Sequence, residues 1–139
     1  MPAAKVFVDT NIWVYAHLHA PSDARHKKAL ELVEAATGLT ISPQVVAEYY
    51  SVMLRNRQTD ARIQANLRAI FARTLLQPAD ANLLSTALAL RNRYRFSFWD
   101  CQIVAAAIEA GCATLWTEDL QSGQVIDERL QIVNPLTAG

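Results

Sequence analysis

Lys5-Val6-Phe7-Val8-Asp9-Thr10-Asn11-Ile12 sets three apolar residues in a row and stops them at a carboxylate. A short apolar run bounded by a polar residue reads as a strand buried on both faces, so Lys5–Val8 is predicted as the first strand. Similar runs recur at Leu39–Ile41, Leu75–Gln77, Ala113–Trp116 and Leu130–Val133. Longer stretches with helical periodicity lie between them, at Ser22–Ala36, Pro43–Arg57, Asp60–Thr74, Ala79–Arg93 and Phe98–Ala110. The clearest is Pro43–Arg57. Ser42 can serve as its N-cap, Pro43 sits in the first turn where a missing N–H costs nothing, and Val45, Val46, Tyr49, Val52 and Met53 form the apolar stripe. Asp60–Thr74 carries a stripe of Ile63, Leu67, Ile70 and Phe71. Strands alternating with helices predict an α/β protein built around a mostly parallel sheet.

The rest of the composition narrows the class. The chain has 139 residues, 52% of them hydrophobic, with thirteen Lys+Arg against thirteen Asp+Glu. Its four Gly and five Pro are not clustered, so no linker or repeat is expected and residues 1–139 are read as one domain. The longest strongly apolar run, Ile103–Ile108, falls far short of the roughly 18 residues of a membrane span. Asp9 interrupts the first apolar run too early for a signal-peptide core, which predicts a cytoplasmic protein with no membrane partner. Cys101 and Cys112 match neither a CxxC nor a zinc spacing and read as buried free thiols. No GxGxxG, P-loop or G-x-S-x-G is present, so dinucleotide, nucleoside-triphosphate and α/β-hydrolase chemistry lack a motif.

In an open parallel sheet ligands bind beyond the carboxyl ends of the strands. Asp9 follows the first strand, Asp119 lies three residues beyond Trp116, and Asp100 opens the helix that leads into that later strand. Glu48 borders the apolar stripe of its helix, where an unpaired carboxylate is costly. Each acid also has a purely structural reading. Asp9 could cap a helix starting near Ile12, and Asp119 could initiate a turn. Asp100 completes the S-x-x-D capping spacing from Ser97, and Glu48 could pair with Arg55 or another Arg. Convergence of all four is the more economical reading. Crowded carboxylates repel until a cation arrives, and an all-oxygen set without Cys or His suits hard Mg2+ or Mn2+. Such an ion acidifies water and neutralises charge at phosphorus, which makes phosphodiester hydrolysis the natural reaction.

Val6-Phe7-Val8-Asp9-Thr10-Asn11, then Glu48 on a helix after Ser42-Pro43, then Trp99-Asp100-Cys101-Gln102-Ile103-Val104-Ala105-Ala106-Ala107, and finally Leu115-Trp116-Thr117-Glu118-Asp119-Leu120 form an ordered set. This set resembles the PIN-domain ribonucleases, most of all the VapC-type toxins of bacterial toxin–antitoxin modules, and the resemblance covers essentially the whole chain. It implies a three-layer α/β/α sandwich and an endoribonuclease that uses Mg2+ or Mn2+. It further implies Asp9, Glu48, Asp100 and Asp119 as metal ligands, Thr117 as a supporting hydroxyl, homodimers, and inhibition by a cognate antitoxin. Glu118 could stand in for Asp119.

Charge is unevenly spread. Residues 55–95 hold eight Arg and two Asp, whereas residues 96–139 hold one Arg and six acids. Arg55, Arg57, Arg62, Arg68, Arg73, Arg91, Arg93 and Arg95 are read as a wall for RNA, for an acidic partner, or as a solvated face. Trp13, Trp99 and Trp116 are expected in the core rather than stacked on bases, and His17 and His19 at the surface. The competing functional reading is a catalytically silent PIN-like scaffold that binds RNA or a protein through the Arg-rich segment. A receiver domain or a dehalogenase-type phosphatase would want further acids near Asp9, but Thr10 and Asn11 stand there.

Overall fold

The computed structural model describes residues 4–20 and 22–137. The chain order is β1 (Val6–Val8), α1 (Thr10–His17), α2 (Ala24–Ala35), β2 (Leu39–Ile41), α3 (Pro43–Arg55), α4 (Asp60–Arg73), β3 (Thr74–Leu76), α5 (Ala81–Tyr94), α6 (Phe98–Glu109), β4 (Thr114–Trp116), β5 (Val125–Ile126) and β6 (Leu130–Val133). All five expected strands are present within a residue or two. β5 is additional.

The sheet runs β3-β2-β1-β4-β6-β5, parallel throughout except where β5 pairs antiparallel to β6. Helices flank it, giving the α/β/α arrangement expected of the sequence. α1 packs on α2 and α3, α5 packs on α6, and α6 lies against β2 and β4. Burial follows strand position. Phe7 and Val8 in the middle of the sheet are fully buried and β2 is buried throughout, but Leu75 and Leu76 of edge strand β3 are largely exposed. α6 is apolar nearly all round, and Cys101 and Ile103 to Ile108 are all buried, as a helix sealed between sheet and neighbour requires. Cys101 and Cys112 are buried free thiols.

Three details of the helices differ from expectation. Ser42 occupies the N-cap position of α3, but its hydroxyl makes no cap bond and is buried without a partner among the described residues. In α4, Ile63, Leu67 and Ile70 are buried, but Phe71 is 47% exposed because the helix turns that edge outward. Val46 and Val52 of the α3 stripe are only partly buried. No helix among the described residues is long and apolar enough to cross a membrane.

The sheet topology places the site. From β1 the chain builds outward through β2 to β3 on one side, then returns to build β4 on the other. The C-terminal ends of β1 and β4 therefore lie side by side at the point where strand order reverses, the position where such sheets bind ligands. Val8 is in register with Trp116, and the Asp9 N–H donates to the Trp116 carbonyl at 2.9 Å.

Candidate functional site

Asp9 leaves β1 and caps α1, its Oδ1 accepting from the Thr10 N–H at 2.7 Å. Its Oδ2 accepts from the Thr117 hydroxyl at 2.8 Å, reaching across from the end of β4. The capping role considered from sequence is thus present, and it does not exhaust the residue. Asp9 is only 5% exposed, and burial pushes its carboxyl up to about 7 against the two hydrogen bonds, with Asp119 and Glu48 adding repulsion. Thr117 is fully buried, and its Oγ1 also accepts from the Asp119 N–H at 3.1 Å. One hydroxyl therefore orients two acids.

Glu48 does not pair with Arg55. Its Oε1 accepts from the Thr10 hydroxyl at 2.7 Å and its Oε2 from the Gln44 amide at 3.3 Å. Asp9 and Glu48 are held alike. Each of their four oxygens takes one protein donor, which leaves every oxygen a second lone pair for something else. Gln44 also donates to the Trp99 carbonyl at 3.1 Å, tying α3 to the first turn of α6, where the Ser97 hydroxyl accepts from the Asp100 N–H. Asp119, an exposed residue, has its carboxyl raised first by lost hydration, then by Asp100, Glu118 and Glu48, with a hydrogen bond from Asn11 acting oppositely.

The structure brings Asp9, Glu48 and Thr117 into one hydrogen-bonded assembly through Thr10, and Asp119 joins it through Thr117. Asp100 enters through its repulsion of Asp119 and does not figure among the charges acting on Asp9. Glu118 faces elsewhere, accepting from the Tyr15 hydroxyl at 2.5 Å with Arg25 at 3.7 Å. Three contributors were given no role from the sequence. Gln44 stands four residues before Glu48, the spacing that puts both on one helical face, and was the findable one. Thr10 and Asn11 follow Asp9 directly, but nothing in that run shows the Thr10 hydroxyl meeting Glu48 or the Asn11 amide acting on Asp119.

Could these residues hold a cation? Among the described residues, no three acidic, His or Cys side chains form a group that could hold a metal ion as they stand. Mg2+ does not need one, since it is bound by one or two carboxylates and completes its shell with water and substrate phosphate. The donor chemistry fits. The oxygens are hard, each held carboxylate keeps a free lone pair, and none of Asp9, Glu48 and Asp119 forms an ion pair among the described residues.

Several surrounding expectations change. Arg73 donates to the Val33 and Glu34 carbonyls, Arg91 to those of Arg95 and Phe96, and Arg93 pairs with Asp127 at 3.3 Å, so these three hold the fold rather than a continuous wall. Trp13 is buried and Trp116 half-buried, but Trp99 is 67% exposed in the first turn of α6, where Ser97 and Phe98 are exposed as well. His17 is half-buried rather than superficial. Its Nδ1 shares a 2.7 Å hydrogen bond with the Tyr49 hydroxyl, and burial lowers its pKa to about 4.

Comparison with known proteins adds the following. The family model described as PIN domain matches residues 6–125. Among solved structures, the chain is similar to Mycobacterium tuberculosis VapC20, described as a sarcin-ricin loop cleaving toxin. The two share 22% identity and a TM-score of 0.66, over 83% of this chain and 92% of that one. It is also similar to a chain of a toxin–antitoxin complex from Klebsiella pneumoniae, with 19% identity and a TM-score of 0.68 over 94% and 98%. A third likeness is to a chain of VapBC2 from Rickettsia felis bound to a DNA fragment from their promoter, with 24% identity and a TM-score of 0.58 over 82% and 87%. At these identities the likeness is one of fold. None of the curated proteins compared matches the chain significantly.

Proposed function

This chain belongs to the PIN-domain family, and on that premise we propose that it is a Mg2+- or Mn2+-dependent endoribonuclease and the toxin of a type II toxin–antitoxin pair. The observation that carries the reading is the matched setting of Asp9 and Glu48, two carboxylates from different elements with one donor on every oxygen and no ion pair among the described residues. Asp9, Glu48, Asp100 and Asp119 are assigned as the ligands and Thr117 as the residue that aims them. A divalent ion held there supplies Lewis acidity for the water and for the phosphate.

The residues themselves do the positioning. Thr117 keeps its proton directed at Asp9 Oδ2, and Thr10 at Glu48 Oε1, so each carboxylate is held in one orientation with a lone pair free on every oxygen. Asp119 is exposed and Asp100 half-buried, so both are open to substrate. Hydrolysis places a hydroxyl on phosphorus and returns a proton to the leaving 3'-oxygen, giving 5'-phosphate and 3'-hydroxyl ends. Only the fold likeness to complexes in other organisms supports an antitoxin partner, together with exposed apolar residues such as Phe71, Leu84 and Leu88 that also suit a second copy of the chain.

Induced expression of the chain alone is expected to arrest growth, and co-expression of the neighbouring small reading frame to relieve it. Asp9→Asn and Asp100→Asn are expected to express as folded proteins that cause no arrest. Arrest of equal strength with Asp9→Asn contradicts the assignment.

A further inference from the structure

Trp99 stands out among the three tryptophans. It is 67% exposed immediately before Asp100, while Phe98 beside it is 39% exposed. Leaving so large an aromatic surface in water forgoes burial energy at about 25 cal/mol per Å2, an arrangement that makes sense where the ring has a ligand to meet. The ring borders a cleft of about 660 Å3, within the roughly 300–1,000 Å3 range of small-ligand sites. Glu48, Gln44 and Arg55 line it from α3, and Trp99 and Gln102 from α6. Pro43, Ala47 and Ala79 add aliphatic surface.

We propose that this cleft is a base-binding subsite, in which an unstacked nucleobase next to the scissile phosphate stacks on Trp99 while Arg55 holds a flanking phosphate. The inference rests on the ribonuclease reading and adds to it the recognition of single-stranded RNA. Single-stranded RNA is read by stacking splayed bases on aromatic rings and by hydrogen bonds to their edges. The Gln102 amide and the Gln44 side-chain carbonyl, whose own N–H groups are held by Glu48 and the Trp99 carbonyl, lie in the same cleft to supply those bonds. Arg55 follows Glu48 by seven residues on α3, about two turns or on the order of 10 Å along the helix. Its guanidinium makes no ion pair among the described residues, so it is available to a phosphate. The Trp99 backbone is already fixed by Gln44, which binds both its carbonyl and Glu48, and this couples the stacking platform to the acids.

The test uses the purified chain with Mn2+ and a single-stranded 12-nucleotide RNA spanning a site that the wild-type protein cleaves, alongside a series in which each nucleotide near the cut is abasic in turn. Trp99→Ala is expected to raise KM by roughly 5- to 150-fold, the range for loss of one stacked base, with kcat little changed. Trp99→Phe is expected to recover most of the loss, and at one abasic position Trp99→Ala should have no further effect. Unchanged KM in a cleaving Trp99→Ala protein overturns the subsite and leaves the ribonuclease reading intact. So does a kcat loss without rescue by Phe, which makes Trp99 a support for Asp100 alone. Normal kinetics with weakened antitoxin capture gives the cleft to the protein partner and equally overturns it. A wild-type protein that cleaves no RNA overturns the ribonuclease reading itself, and the subsite with it.

Discussion

The Thr117 hydroxyl has two partners, donating to Asp9 Oδ2 and accepting from the Asp119 N–H. Valine has nearly the same shape without either capacity, so Thr117→Val isolates that function. It leaves one oxygen of a buried carboxylate without its donor, at about 1–3 kcal/mol. Activity or Mn2+ affinity is expected to fall roughly 10- to 100-fold, as when the partners behind metal ligands are removed. Melting curves and titration with Mn2+ check both effects. At the same scale, His17 makes stability depend on pH. Asn66 donates to the Tyr49 oxygen, so the Tyr49 proton is left for His17 Nδ1, which fits a neutral ring. Burial first, then the Arg62 and His26 charges, lowers the folded pKa from 6.5 to about 4. Below pH 6.5 the unfolded chain takes up a proton that the folded chain refuses, so stability declines as pH falls toward 4 and is fully present above 6.5. His17→Gln is expected to flatten that part of the melting temperature profile, and a parallel decline in the variant would contradict the assignment. Asp9, Glu48, Asp100 and Asp119 could be picked out in the sequence because strand ends and helix periodicity locate them, and Thr117 only through the resemblance to PIN-domain ribonucleases. The His17–Tyr49–Asn66 chain could not, since it joins three segments whose packing only the tertiary structure sets.

Elements formed where the sequence carried its own punctuation. β1, β2, β4 and β6 are apolar runs stopped by polar residues, and α3 begins at Pro43 as its chemistry requires. β5 is the element that the sequence concealed. It is two residues long, and its turn back to β6 needs positive φ at Asp127 and Glu128, at 50° and 60°, with no Gly or Asn there to announce it. The turn is held from outside: the Tyr94 hydroxyl accepts from the Asp127 N–H and donates to its carboxylate, and Arg93 pairs with that carboxylate. α5 ends in the same unmarked way, on Arg95 at φ 64° in the left-handed region. That conformation costs a non-glycine residue about 1–2 kcal/mol, and the cost persists because Arg91 grips the Arg95 and Phe96 carbonyls. Arg95→Gly relieves it and is expected to stabilise the protein by about 1 kcal/mol in denaturant unfolding, less the extra backbone entropy of glycine. A destabilised variant would mean that the Arg95 side chain contributes more than its backbone costs.

For the whole molecule, a net charge of zero conceals two opposed populations. Part of the Arg-rich segment is spent on carbonyls and on Asp127, which leaves Arg55, beside the acids, as the cation best placed for a substrate phosphate. Of the opposing acids, Asp119 lies just beyond β4 and is tied through Thr117 to Asp9 at the end of β1, at the reversal of strand order. A neutral chain can therefore present a local site for a polyanion once a divalent ion offsets its carboxylates. That offset is the centre of the account, and cleavage of end-labelled single-stranded RNA by the purified chain tests it most directly, with Mn2+, with excess EDTA, and with Mn2+ restored after EDTA. Cleavage with Mn2+, none in EDTA and recovery on restoration are expected, with 5'-phosphate ends on the products. Undiminished cleavage in EDTA would contradict the metal site and the mechanism built on it.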